Sequence, residues 1–159
     1  MMQTMTVHRW CSIRAVGPAL SVAALLALTA AAFAAAPAGI SIEKPRMRFI
    51  IKERPAAGYF TLKNDGGTAV DLTGAASSAC GMLMLHQSKE VNGVEKMLPV
   101  KDVKVPAHGS VSFAPGGFHL MCMQPQASMK VGADVPVTLK FGDGDSITAQ
   151  FPVRGANSQ

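Results

Sequence analysis

Aromatic and charged side chains are both scarce in this chain: Phe, Tyr and Trp make up 6% of its 159 residues, and Asp, Glu, Lys and Arg 16%. Basic residues outnumber acidic ones by 15 to 10, but they are scattered and have few aromatics between them. A nucleic-acid surface needs a basic stripe with aromatics interleaved, so nucleic acid is not expected as a partner. Catalytic motifs are missing too. No Ser/His/Asp arrangement, metal-hydrolase motif or phosphate-cradling glycine loop occurs, and Gly116-Gly117 is only a turn before His119. His119 has no evident carboxylate partner to make it a general base. No enzymatic turnover is expected.

Long apolar runs are confined to the N-terminus. Arg9 and Arg14 precede an apolar stretch from Ala19 to Ala32, which ends in the small-residue pattern Ala32-Phe33-Ala34. This is the layout of a secretory signal peptide, assigned to residues 1–34, with the mature chain starting near Ala35. The stretch is shorter than the roughly 20 residues a membrane span requires, and Pro37 and Gly39 follow it rather than a basic stop-transfer cluster. Stable membrane insertion after cleavage is therefore not expected. Without Arg9 and Arg14 the remaining chain, 35–159, keeps 13 basic residues against 10 acidic. Its length suits one compact domain. Cysteine is also rare. Cys11 leaves with the signal, and the remaining pair, Cys80 and Cys122, reads as a structural disulfide in an oxidising compartment.

No segment beyond the signal keeps a 3.6-residue apolar period over three turns. Short runs broken by Gly, Pro, Asn and Asp recur instead, which predicts an all-β chain. The expected strands are 46–51, 57–62, 70–76, 82–91, 94–99, 111–113, 119–123, 135–141 and 146–153. Nine short strands in one domain point to a Greek-key β-sandwich. Asn92-Gly93 is the strongest turn signal, because both central positions of a type I′ hairpin need positive φ.

That hairpin fixes a register. With Asn92 and Gly93 as the loop, Val91 pairs with Val94 and Ser88 faces Met97. His86 lies two residues from Ser88 on the same face, so Met97 is its diagonal neighbour across the ladder. In Phe118-His119-Leu120-Met121-Cys122-Met123, the period of two puts His119, Met121 and Met123 on one face, and Leu120 and Cys122 on the other. If the two segments converge, two imidazoles and two thioethers meet. Thioether sulfur is a poor ligand for Mg, Ca or Zn and a good one for Cu(I), and imidazole also suits copper. Thiolates oxidise in an exported compartment, whereas methionine keeps its donor atom and needs no deprotonation. The same residues have a plainer reading, because methionine fills irregular cores and a face with Met82, Met84, Met97, Met121 and Met123 can be packing.

The spacing His86-x10-Met97-x21-His119-x-Met121 resembles the His-x10-Met-x21-His-x-Met signature of the periplasmic PCu(A)C copper chaperones. Gly58-Tyr59-Phe60-Thr61-Leu62-Lys63-Asn64, Val105-Pro106-Ala107-His108-Gly109 and Pro115-Gly116-Gly117-Phe118-His119 resemble the family's flanking text, and the likeness runs over roughly residues 39–153. It implies a cupredoxin-like sandwich holding one Cu(I) on His86, Met97, His119 and Met121. It also implies a periplasmic chaperone that passes copper to an acceptor such as cytochrome oxidase subunit II, at the binuclear copper centre, with a thiol-reducing protein or second copper chaperone as a further partner. Met84 and Met123 lie on the ligand faces as neighbours or substitutes, and His108, in a turn, is expected in solvent. Rival readings are a blue-copper carrier, which needs a Cys thiolate, copper buffering without delivery, and a metal-free module docking a partner through its methionines.

Overall fold

The computed structural model describes residues 36–156, and the expected signal peptide, 1–34, lies outside them. Ten strands and no helix occur among the described residues: β1 (Ile40–Arg48), β2 (Ala56–Asn64), β3 (Val70–Ala76), β4 (Cys80–Val91), β5 (Val94–Pro99), β6 (Val103–Val105), β7 (Gly109–Phe113), β8 (Phe118–Pro125), β9 (Asp134–Phe141) and β10 (Ser146–Arg154). The all-β expectation holds, and nine of the ten strands fall on the expected segments. The exception is β6, three residues pairing with Val70–Leu72 at a sheet edge. A segment that short has too few residues to show an alternation.

The hydrogen-bonded order is β5-β4-β8-β7-β2-β1-β10-β9-β3-β6, with β8 also pairing β2. Six strands, β5 to β1 in that order, form one layer, and β10, β9, β3 and β6 form the other. A two-residue parallel pairing, Met47 with Val153 and Arg48 with Arg154, joins them. Apolar side chains from both layers meet in one core. Leu83, Leu85, Leu120 and Phe60 come from the first layer, and Leu72, Val137, Leu139 and Phe151 from the second. Phe60 stacks on Phe113 at 4.3 Å between ring centres and meets Phe151 edge-on at 5.6 Å. Pairs in these geometries add roughly 0.5–1.5 kcal/mol beyond the area they bury.

β1 corrects both boundaries of its expected segment. The strand expected at 46–51 begins at Ile40, running through Pro45, and ends at Arg48. The register against β2 shifts by one residue between Glu43 and Arg46, and Lys44 has φ 49°. Proline is tolerated at such a bulge, where no ladder N–H is needed. The hairpin register is as expected: Asn92 and Gly93 take φ 55° and 77°, Val91 pairs with Val94, and Ser88 pairs with Met97.

β2 also comes close to β8. Gly58 pairs with Leu120, and a Cβ on Gly58 would stand 3.0 Å from the Leu120 Cβ. The absent side chain lets the two strands close, and this brings Ala57 and Tyr59 beside Met121.

Candidate metal centre

The centre is built on three adjacent strands, β5, β4 and β8. Along β4 the side chains alternate. Leu83 and Leu85 are buried in the core, whereas Met82, Met84 and His86 fall on the opposite face. β8 runs antiparallel to it and does the same: Leu120 and Cys122 point into the core, and His119, Met121 and Met123 lie outside. The pairing sets Met82 opposite Met123, Met84 opposite Met121, and His86 opposite His119. The direct opposition of the two histidines is beyond what the hairpin alone predicts.

Both imidazoles are buried although they lie on the outer face, with His86 7% and His119 5% exposed. Their ring centres are 5.9 Å apart and their planes 28° from parallel. The turn at 114–117 is tied to both histidine-bearing strands. The Gly117 carbonyl accepts the Ser88 N–H at 3.0 Å and lies 3.1 Å from His119 Nδ1. A carbonyl can only accept, so Nδ1 carries the proton and the Nε2 lone pair of His119 is free. His86 differs: its Nδ1 is buried and has no hydrogen-bond partner. Burial, and then the nearby His119, hold the His86 imidazole below its ordinary pKa and favour the neutral form. A neutral imidazole is the form that binds metals.

Met97 on β5 is 61% exposed. It lines a cleft of about 390 Å³ with His119, Met121, Tyr59, Arg54 and Glu95. Three of the four predicted residues thus share one cleft. His86 does not line it, but faces His119 across the ladder. Met84 lines a different cleft, with Thr73 and Pro99, and His108 is exposed, as expected. Tyr59, Arg54 and Glu95 were not anticipated. Glu95 is next but one to Met97 on β5, so the hairpin register could have found it. Tyr59 reaches the cleft only through the non-local pairing of β2 with β8. Arg46 stacks over the Tyr59 ring at 5.2 Å, which holds that phenol against the sheet.

Cys80 and Cys122 form a disulfide that joins the start of β4 to β8, the two strands that carry the histidines. Cys122 is fully buried in the core. No free thiolate is therefore available beside Met121, which removes the donor that a blue-copper centre requires. Among the described residues no three His, Cys, Asp or Glu side chains gather at one point. The donors on this face are the imidazoles of the histidine pair and the soft thioethers.

The family model described as “Putative lipoprotein LpqE-like” matches residues 40–153. The chain belongs to the LpqE-like family. “Putative lipoprotein Lxx21020” of Leifsonia xyli is 37% identical over 105 residues, covering 64% of this chain and 63% of that one. The chain spans just under two thirds of the length of the curated relatives it matches. Among solved structures, this LpqE-like domain is similar to the Cu(I) form of DR1885 from Deinococcus radiodurans, with 26% identity, a TM-score of 0.56, and 76% of this chain and 83% of that one covered. It is also similar to a copper-bound PCuAC domain from PmoF2, with 22% identity, a TM-score of 0.61, and 77% and 97% coverage. The shared fold is that of the PCuAC domains. No helix among the described residues is long and apolar enough to cross a membrane.

Proposed function

We propose that this protein is a periplasmic metallochaperone that carries one Cu(I) ion on His86, His119, Met97 and Met121. The observation that carries the reading is the unpartnered Nδ1 of His86, opposite a second imidazole whose own Nδ1 is occupied. A buried polar atom left unpaired costs about 1–3 kcal/mol, which a ligand would relieve. With metal–nitrogen bonds of about 2.0 Å, two imidazoles sharing an ion hold their ring centres about 5–6.3 Å apart, and the 5.9 Å separation lies in that span. Met97 and Met121 add soft neutral donors at the mouth of the cleft, a set that favours Cu(I) over Zn or Mg. Both the Deinococcus structure and the PmoF2 domain hold copper on this fold, which supports the same cargo here.

An exposed thioether suits a carrier. Met97 is open to solvent, so an acceptor's ligands can displace it first, before the buried histidines let go. The acceptor in this reading is the binuclear copper site of cytochrome oxidase subunit II, reached in the periplasm. The experiment mixes Cu(I)-loaded protein with the apo copper-binding domain of that subunit, separates the two, and measures copper in each. Delivery predicts that most of the copper moves to the oxidase domain. Copper retained by this protein at excess acceptor would contradict delivery and favour buffering.

A second reading has its own observation. Val94 and Leu98 are exposed on one face of β5 and Met97 on the other, and such an apolar strand at the end of the sheet order can dock a partner without metal. Equal partner affinity with and without copper would favour that module.

A further inference from the structure

The four-residue set leaves three methionines of the same face unused. Met82 pairs with Met123 and Met84 with Met121, on the two rungs next to the His86–His119 rung. Rungs two residues apart are about 6.8 Å from one another, and opposed Cβ atoms about 4.5–5.5 Å. Along these three rungs every side chain is methionine or histidine, and none is charged.

Core packing does not account for them. The core is filled from the other face of the same strands, by Leu83, Leu85, Leu120 and Cys122. Met82 is 56% exposed, and Met84 and Met123 are half-buried. A sheet surface facing water ordinarily carries polar residues at these positions. Thioethers placed there in register, on both strands, are instead accessible soft donors.

We propose that Met82, Met84 and Met123 form a second, weaker site for a soft monovalent cation, Cu(I) or Ag(I), made of thioethers alone and lying one to two rungs from the histidine pair. The inference rests on the reading of the His/Met face as a Cu(I) carrier and adds where an ion is held before it reaches the imidazoles or after it leaves them. The site is weaker because it has no imidazole and its outermost donor stands in water. With both sites filled the face holds two ions, on either side of the Met84–Met121 rung.

The test titrates the mature protein anaerobically with Ag(I), a soft cation with no redox step, and follows 13C-labelled methionine methyl groups by NMR. Wild type, Met82→Leu/Met123→Leu and His119→Ala are compared. Leu replaces Met with little change in volume, and both positions lie outside the core. The site predicts that the Met82, Met84 and Met123 methyls shift with a second equivalent, whose affinity falls at least about tenfold in the double variant. The first equivalent stays within about twofold, and in His119→Ala the Met82 and Met123 shifts persist. A single equivalent in wild type with those three methyls unmoved would overturn the second site and leave the carrier reading intact. A second equivalent undiminished in the double variant would overturn it as well. No binding of any equivalent would overturn both.

Discussion

The two faces of β4 and β8 use the same backbone and pairing for opposite purposes. Inward, Leu83, Leu85 and Leu120 are buried in the core shared by the two layers, and the buried Cys80–Cys122 bridge ties β4 to β8. Outward, the next residues along are His86, His119 and four methionines. One face carries the stability of the sandwich, and the other can carry chemistry at small cost to the fold. The difference follows from the period of two alone, because a residue's parity decides which face it serves. It also explains how two imidazoles can sit beside soft donors without disturbing the core.

Substitutions on each face should separate the two roles. The largest effect is expected inside. Leu120→Ala, at a fully buried position, should cost about 2–5 kcal/mol by the cavity it leaves, read from the urea midpoint. Cu(I) affinity of the fraction that stays folded should be unchanged. Replacing Cys80 and Cys122 together by Ala opens a cross-link spanning 42 residues, worth roughly 4 kcal/mol on the chain-entropy account. Thermal unfolding with and without reductant should show that loss in wild type and no further loss in the variant.

Acid should act through the outer face. His86 is held neutral by burial and by His119, so the unfolded chain takes up its proton near pH 6.5, before the native state does. Between that pH and the depressed native value the unfolded state binds more protons, and stability falls as the pH falls. The slope from this one group is at most about one to one and a half kcal/mol per pH unit, and vanishes above pH 7. Apo-protein unfolding from pH 7.5 to 4.5 should show it, and His86→Asn should reduce it. A slope unchanged in that variant would assign the acid sensitivity elsewhere. The smallest effect on stability is expected at Met97→Leu, which alters an exposed position and should shift the apo midpoint by less than about 0.5 kcal/mol.

Much of this contrast could be read from the residues, and the part that could not has a physical cause. Asn92-Gly93 is a local turn, so counting outward from it places Ser88 opposite Met97, as the structure does. Alternation likewise separates His119 and Met121 from Leu120 and Cys122. No turn connects β4 to β8, and the opposition of His86 and His119 depends on which strands the folded sheet sets side by side. The same is true of Tyr59, brought to the cleft by the close approach of Gly58 to Leu120. The expected first strand missed Ile40–Pro45, where a bulge carries the strand through the proline, and β6 was too short to carry a pattern.

Anaerobic Cu(I) titration of the mature protein against a competing chelator, for wild type, His119→Ala and Met97→Leu, tests the central claim most directly. The account predicts one tightly held equivalent in wild type, weakened at least about tenfold in each variant, with the apo stability of Met97→Leu unchanged. Tight binding untouched by both substitutions, or none in wild type, would contradict it and return the outer face to packing.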